Sequence, residues 1–141
     1  MNPFSVATAP DGKIHVVCTG DYWSTWGKVI VIDPDTDTIV STIDIGGSPG
    51  NLSFSEADNL AICTVWGMGC LTYDIETLAP VNDPTTPFLG KGGSGAAADK
   101  DGNIFVSIWD DDQVIQLDKG GVVLNTYDVG DSPSALAMKL E

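Results

Sequence analysis

An all-β fold of repeated four-stranded antiparallel sheets is what this sequence predicts. Val, Ile and Thr are abundant and cluster in short runs, as strands require. The runs are punctuated by Asp11-Gly12, Asp58-Asn59, Asp101-Gly102 and Gly120-Gly121, dipeptides that tolerate the positive φ of tight hairpins. The whole pattern also recurs. Residues 2–17 (NPFSVATAPDGKIHVV), 48–63 (SPGNLSFSEADNLAIC) and 92–107 (GGSGAAADKDGNIFVS) align, and the tail SPSALAMKLE restarts the cycle at residue 132, Pro133 matching Pro3 and Pro49. The period of about 40 to 46 residues is that of a four-stranded β-propeller blade.

The expected architecture is a partial or half β-propeller of three four-stranded antiparallel blades plus one extra strand. Blade 1 spans residues 2–47, blade 2 48–91 and blade 3 92–131, and 132–141 supplies the first strand of a next blade. Each opening segment holds two strands. A second run follows (27–36, 69–77, 112–121) and then a third (37–47, 78–90, 122–131). Val29 to Ile32 form a continuous apolar run, predicting a strand covered on both faces. Residues 38–45 alternate polar and apolar, predicting an outer strand. Pro84 and Pro87 fall in the fourth strand of blade 2 and mark it as an exposed edge, because proline cannot donate to a ladder. No segment keeps a helical apolar spacing over three turns, so no helix is predicted.

The string GKVIVIDPDTDTIVSTIDIGGSPG, followed by an apolar strand, resembles the YVTN-type β-propeller repeat of bacterial and archaeal surface-layer proteins. That pattern has a strand ending in Asp, a polar turn, a strand ending in Gly, then x-Pro opening the next blade. The first copy matches best; the second loses the pattern around residues 81–88, and the third has Gly93 where the proline belongs. The resemblance implies an extracellular or cell-surface setting, although residues 1–20 show no signal-peptide pattern.

Closed propellers have four to eight blades. Three blades leave two apolar faces open, and several hundred Å² of exposed apolar surface per face costs on the order of 10 kcal/mol. Self-association or the remaining blades of a longer propeller must cover them. In a head-to-tail dimer closing a six-bladed ring, the spare strand at residues 135–140 would compete with the partner's inner strand. A unit excised from a larger ring and associating with itself is therefore the favoured expectation, with light scattering as the deciding measurement.

The chain has 141 residues, with six Lys, no Arg and 20 Asp plus Glu, for a net charge of −14. Such a surface repels phosphate, which argues against nucleic acid as a partner. The apolar runs fall far short of the roughly 20 residues of a membrane helix, so no membrane insertion is expected. Cys18, Cys63 and Cys70 show no C-x-x-C spacing and read as buried small hydrophobes.

Alternating strand direction sorts the loops onto two faces. One carries Tyr22, Trp23, Trp26, Trp66, Trp109, Asp110 and Asp111, including all four tryptophans, with Lys91 from a connecting loop. Aromatics beside carboxylates suit a protein, peptide, glycan or cationic ligand; the alternative is that the rings plug the channel mouth or pack between blades. On the opposite face Asp33, Asp35 and Asp37 resemble the opening of a calcium loop, but Thr38 stands where Gly belongs and Asp44 where Glu belongs. Asp capping a turn is the simpler reading.

Nothing assembles a catalytic set around the single His15, and no phosphate or dinucleotide fingerprint is present. Residues 90–95 are glycine-rich but precede no helix and read as a blade linker. The function expected is a non-catalytic scaffold or binding module without cofactor. The alternative is a fragment of a catalytic propeller, a lyase or quinoprotein-like oxidoreductase, whose active-site residues lie on other blades.

Overall fold

The chain, described over residues 2–138 in a computed structural model, forms three antiparallel sheets and no helix among the described residues. Sheet 1 contains β1 (Pro3–Thr8), β2 (Ile14–Cys18), β3 (Lys28–Asp33) and β4 (Thr38–Asp44), in that order. Sheet 2 contains β5 (Ser48–Ser55), β6 (Leu60–Trp66) and β7 (Gly69–Asp74). Sheet 3 contains β8 (Gly93–Ala98), β9 (Ile104–Ile108), β10 (Gln113–Leu117) and β11 (Val123–Asp128). Gly12, Asn59, Gly102 and Gly121, the second residues of the four turn dipeptides, all take positive φ.

The first strands β1, β5 and β8 lie side by side, so the sheets fan out from a common inner edge. Each inner strand bulges near its start, at Pro3/Ser5, Pro49/Leu52 and Gly93/Gly95. Glycine thus serves in the third copy where proline opens the other two. Side chains stitch the inner strands together in the same sense. Ser5 Oγ donates to the Gly50 carbonyl (2.6 Å) and Asn51 Nδ2 to the Ser94 carbonyl (2.5 Å). Gly95 has no side chain to continue the series, and Ser94 Oγ donates instead to the Pro133 carbonyl (2.5 Å). The tail at Ala135 and Leu136 therefore runs against Gly95, beside β8. It holds the place of a next inner strand without strand pairing over 132–138; residues 139–141 of the expected strand lie outside the described residues.

Sheet 2 is the centre of the molecule and is buried on both faces. Ala61, Cys63, Val65, Leu71 and Tyr73 pack against Val17, Val29, Val31 and Ile43 of sheet 1. Leu60, Ile62 and Cys70 pack against Ile104, Val106, Ile115 and Leu117 of sheet 3. The three cysteines are buried and free. Burial pushes the Cys70 thiol up to about 12, and that of Cys63 higher still.

Three sequence expectations are corrected. The fourth strand of blade 2 does not form. Residues 79–90 pair with sheet 2 only through isolated bridges, Tyr73 to Pro80 and Cys70 to Leu89, because the prolines deny this segment a regular ladder. The repeat alignment slips by one residue in β6. The turn at 56–59 is one residue shorter than those at 9–13 and 99–103, and a one-residue change turns every side chain to the other face. Ala61 and Cys63 thus face the preceding sheet, as Ile104 and Val106 do, whereas the alignment matched Leu60 to Ile104. Finally, β3 is buried on one face only. Ile30 and Ile32 lie on the open side of sheet 1 with Val6, Ile14, Val16 and Ile39, of which Val6 and Ile39 are exposed.

The open face of sheet 3 has a different character. Phe105 and Val114 share it with a hydrogen-bonded row in which Asn125 Nδ2 donates to Tyr127 Oη and Tyr127 donates to Gln116 Oε1. Polar groups also occur within the closed interfaces, where His15, Thr64 and Thr72 are buried.

His15 lies between sheets 1 and 2. Its Nδ1 is 2.6 Å from Tyr73 Oη, its ring stacks on Tyr73 and meets Phe54 edge-on, and its Nε2 has no partner among the described residues. Burial holds its pKa below the ordinary 6.5, with the Asp11 charge opposing and Lys13 adding to the shift. The unfolded chain then takes up a proton more readily than the folded one, so stability is complete above about pH 6.5 and falls as pH drops through the folded value. Melting temperature is expected to decline from pH 7 to pH 5 and to lose that decline in His15→Leu. A second fall below the ordinary carboxylate value of 3.8 follows from Asp74, Asp83 and Asp99, whose folded values are lowered. Melting curves across this range check both steps.

Candidate functional site

The aromatic face is built by three loops that follow the second strand of each sheet. In sheet 1 the loop at 19–27 is organised by Asp21. Its Oδ1 accepts the backbone N–H groups of Trp23 (2.9 Å), Ser24 (2.7 Å) and Thr25 (2.8 Å), and its Oδ2 accepts the Ser24 hydroxyl. Those bonds, Thr25 foremost, hold the carboxyl far below the usual carboxylate range. Gly20 has φ +88°, and a Cβ there would stand 2.0 Å from the Thr25 carbonyl oxygen, so the loop needs glycine at that point. Tyr22 takes φ 67°, an unusual state for a bulky residue, and its side chain reaches the inner edge of the sheets.

In sheet 2, Trp66 is the last residue of β6 and pairs with Ser48 of β5. The turn closes through Met68 N–H donating to the Val65 carbonyl. In sheet 3, Trp109 directly follows β9, and three aspartates come after it. Asp111 pairs with Lys91 at 2.5 Å. Asp112 Oδ1 accepts the Ser132 N–H at 2.7 Å. Asp110 has no hydrogen-bond or ion-pair partner among the described residues.

The indoles do not pack between the three sheets of this chain. Trp23 is 87 % exposed, Trp66 78 %, Trp26 54 % and Trp109 51 %. Two adjoining clefts lie beside Tyr22, Trp66 and Trp109. One, of about 370 Å³, is lined by Phe4, Tyr22, Pro49, Gly50, Thr64 and Trp66, with Thr19, Asn51 and Ser94. Most of its polar atoms are already engaged: Thr19 Oγ1 donates to the Pro49 carbonyl, and Thr64 Oγ1 accepts the Asn51 N–H. The other, of about 590 Å³, is lined by Trp66, Trp109 and Asp110, with Gly67, Gly92, Gly93 and Ser94. Trp66, Gly93 and Ser94 line both.

The structure thus brings Tyr22, Trp66, Trp109 and Asp110 of the candidate residues to one mouth. Trp23 and Trp26 share the loop of Tyr22 but line neither cleft, and Asp111 is engaged by Lys91. Phe4 is an addition that sequence reasoning missed. It stands in the inner strand β1 and is 62 % exposed. At the opposite end a wider cleft of about 800 Å³ is lined by Leu52, Phe54, Ala96, Leu136 and Met138. On that side the Asp33 carboxylate accepts the Asp35 N–H at 2.8 Å, an Asx turn. No group of three or more potential metal ligands converges among the described residues.

Solved structures share this arrangement of sheets. A Kuenenia stuttgartiensis hydrazine synthase chain superposes with a TM-score of 0.77 at 14 % identity, over 95 % of this chain and 38 % of that one. A catalytically inactive virginiamycin B lyase from Staphylococcus aureus, with quinupristin, gives 0.72 at 15 % identity, over 94 % of this chain and 44 % of that one. The β-propeller domain of Cps50 (Swd1) from Myceliophteria thermophila gives 0.69 at 15 % identity, over 92 % and 42 %. The fold is that of a β-propeller. Such identities speak for the fold alone, and the three are named as a synthase, a lyase and a β-propeller domain. The chain spans less than half the length of these three chains. No family model and no curated protein sequence matches the chain.

Proposed function

We propose that this propeller unit is a non-catalytic binding module, of the surface-layer or secreted type that its YVTN-like repeat suggests, taking a protein, peptide or glycan ligand on its aromatic face. The observation that carries the reading is the mouth itself, where exposed Tyr22, Trp66 and Trp109 surround two adjoining clefts. Large rings held open to water by ordered turns are a cost to a protein that has no ligand for them. The single His15 is sealed between sheets, which supports a non-catalytic role. Further blades or a second copy cover the aliphatic open face of sheet 1.

Acrylamide quenching of tryptophan emission, with and without glycan and peptide libraries, tests the reading. Strong quenching of the free chain is expected, with protection by a bound ligand. Trp66→Ala is expected to weaken that binding by about 30-fold, a hot-spot loss of about 2 kcal/mol. Indoles inaccessible to acrylamide would defeat the proposal.

A further inference from the structure

We infer that the mouth takes an organic cation, an alkylammonium group seated between Trp66 and Trp109 with Asp110 as its counter-charge. The inference rests on the aromatic face being a binding surface and names the chemistry of what it binds.

Three features of the mouth converge on a cation. Both indoles line one cleft, so a group entering it meets two electron-rich ring systems, and tryptophan is the strongest partner for a cation over a ring. The rest of the lining is Gly67, Gly92, Gly93 and Ser94, with no cationic side chain among them, and the neighbouring Lys91 is engaged by Asp111. Among three consecutive aspartates, Asp111 is neutralised by Lys91 and Asp112 is held by the Ser132 N–H, which leaves Asp110 uncompensated at the cleft edge. Like charges so close together favour a counter-cation. The chain as a whole carries −14, so its long-range field draws cations and repels anions.

The adjoining cleft adds a preference. It shares Trp66 with the first, is walled by Phe4, Tyr22 and Pro49, and is lined by no charged side chain. A ligand whose ammonium lies between the two tryptophans can therefore place an attached apolar group against Phe4 and Tyr22. A neutral sugar would gain ring stacking but would leave the Asp110 charge unanswered.

The test titrates the full chain with choline and with its neutral carbon isostere, in which a tert-butyl group replaces trimethylammonium. Binding is read from tryptophan fluorescence and from indole N–H signals in NMR. Choline is expected to bind at least about tenfold more tightly than the isostere and to weaken as salt is raised. Benzyltrimethylammonium is expected to bind more tightly than choline, because its ring fills the second cleft. Asp110→Asn, which keeps shape and removes charge, is expected to lower choline affinity about tenfold, whereas Asp111→Asn leaves it within about twofold. Circular dichroism confirms that each variant is folded. Equal affinity for choline and its isostere, an unchanged Asp110→Asn, or no response to choline at its highest soluble concentration would each overturn the inference. If a neutral glycan or peptide binds in a Trp66-dependent manner while choline does not, the cation is wrong and the binding face stands. If the indoles are also closed to acrylamide, both fail together.

Discussion

Replacing Tyr73 with alanine is expected to lower the unfolding free energy by about 3–5 kcal/mol, the range for removing a large aromatic from a packed interior. Tyr73 is fully buried in β7 and sits within the cluster that joins sheets 1 and 2. Its hydroxyl meets His15 Nδ1, and burial pushes its own pKa up, so the pair stays neutral. Tyr73→Phe separates the two contributions. It keeps the ring, removes the hydroxyl and leaves both His15 nitrogens without partners, for a cost of about 1–3 kcal/mol. Adding His15→Leu to Tyr73→Phe should recover part of that loss, because an apolar pair needs no hydrogen bond. Urea titration checks the series: the midpoint should fall with the slope preserved. A Tyr73→Ala chain as stable as the parent would mean that sheets 1 and 2 do not meet as described.

Gly69→Ala is expected to be comparably severe, by about 3 kcal/mol or more, and to act at one place. Gly69 opens β7 with φ +95°, and a Cβ there would fall 1.8 Å from the Leu89 carbonyl oxygen. That oxygen accepts the Cys70 N–H at 2.9 Å, one of the bonds holding residues 79–90 against sheet 2. A methyl group must expel this segment and uncover Leu89 and Cys70. The control is Gly67→Ala, two residues away, where φ is +72° and no atom lies within 4 Å of the added Cβ. Only the left-handed backbone penalty of about 1–2 kcal/mol applies there. Thermal melting and limited proteolysis distinguish them, with cleavage within 79–90 appearing in Gly69→Ala and absent from Gly67→Ala.

Much of the fold was legible because the repeat carries its own punctuation. The turn dipeptides, the prolines at positions 3 and 49, and the alternation in β4 each reflect a local requirement that a single segment displays. What escaped depends on partners remote in sequence or on a count of one. His15 and Tyr73 are 58 residues apart, and neither alone announces the other. The turn at 56–59 lacks one residue relative to its counterparts, and the aligned letters conceal that loss because apolar residues stand on both sides of β6. The candidate site was half legible. Loop polarity placed the aromatics on one face, but which rings line a cleft depends on loop geometry. Asp21 draws its loop into a compact turn, and Trp23 and Trp26 end up outside the mouth that Tyr22 enters.

The bonds from Ser5 to Gly50 and from Asn51 to Ser94 run in one direction only: each inner strand offers a donor forward and a carbonyl backward. A unit added or deleted between two others would find the same acceptor ahead and the same donor behind. Gene duplication could thus lengthen or shorten such an array in whole steps without redesigning any junction. In the third copy Ser94, one position earlier, supplies the forward donor that Gly95 lacks.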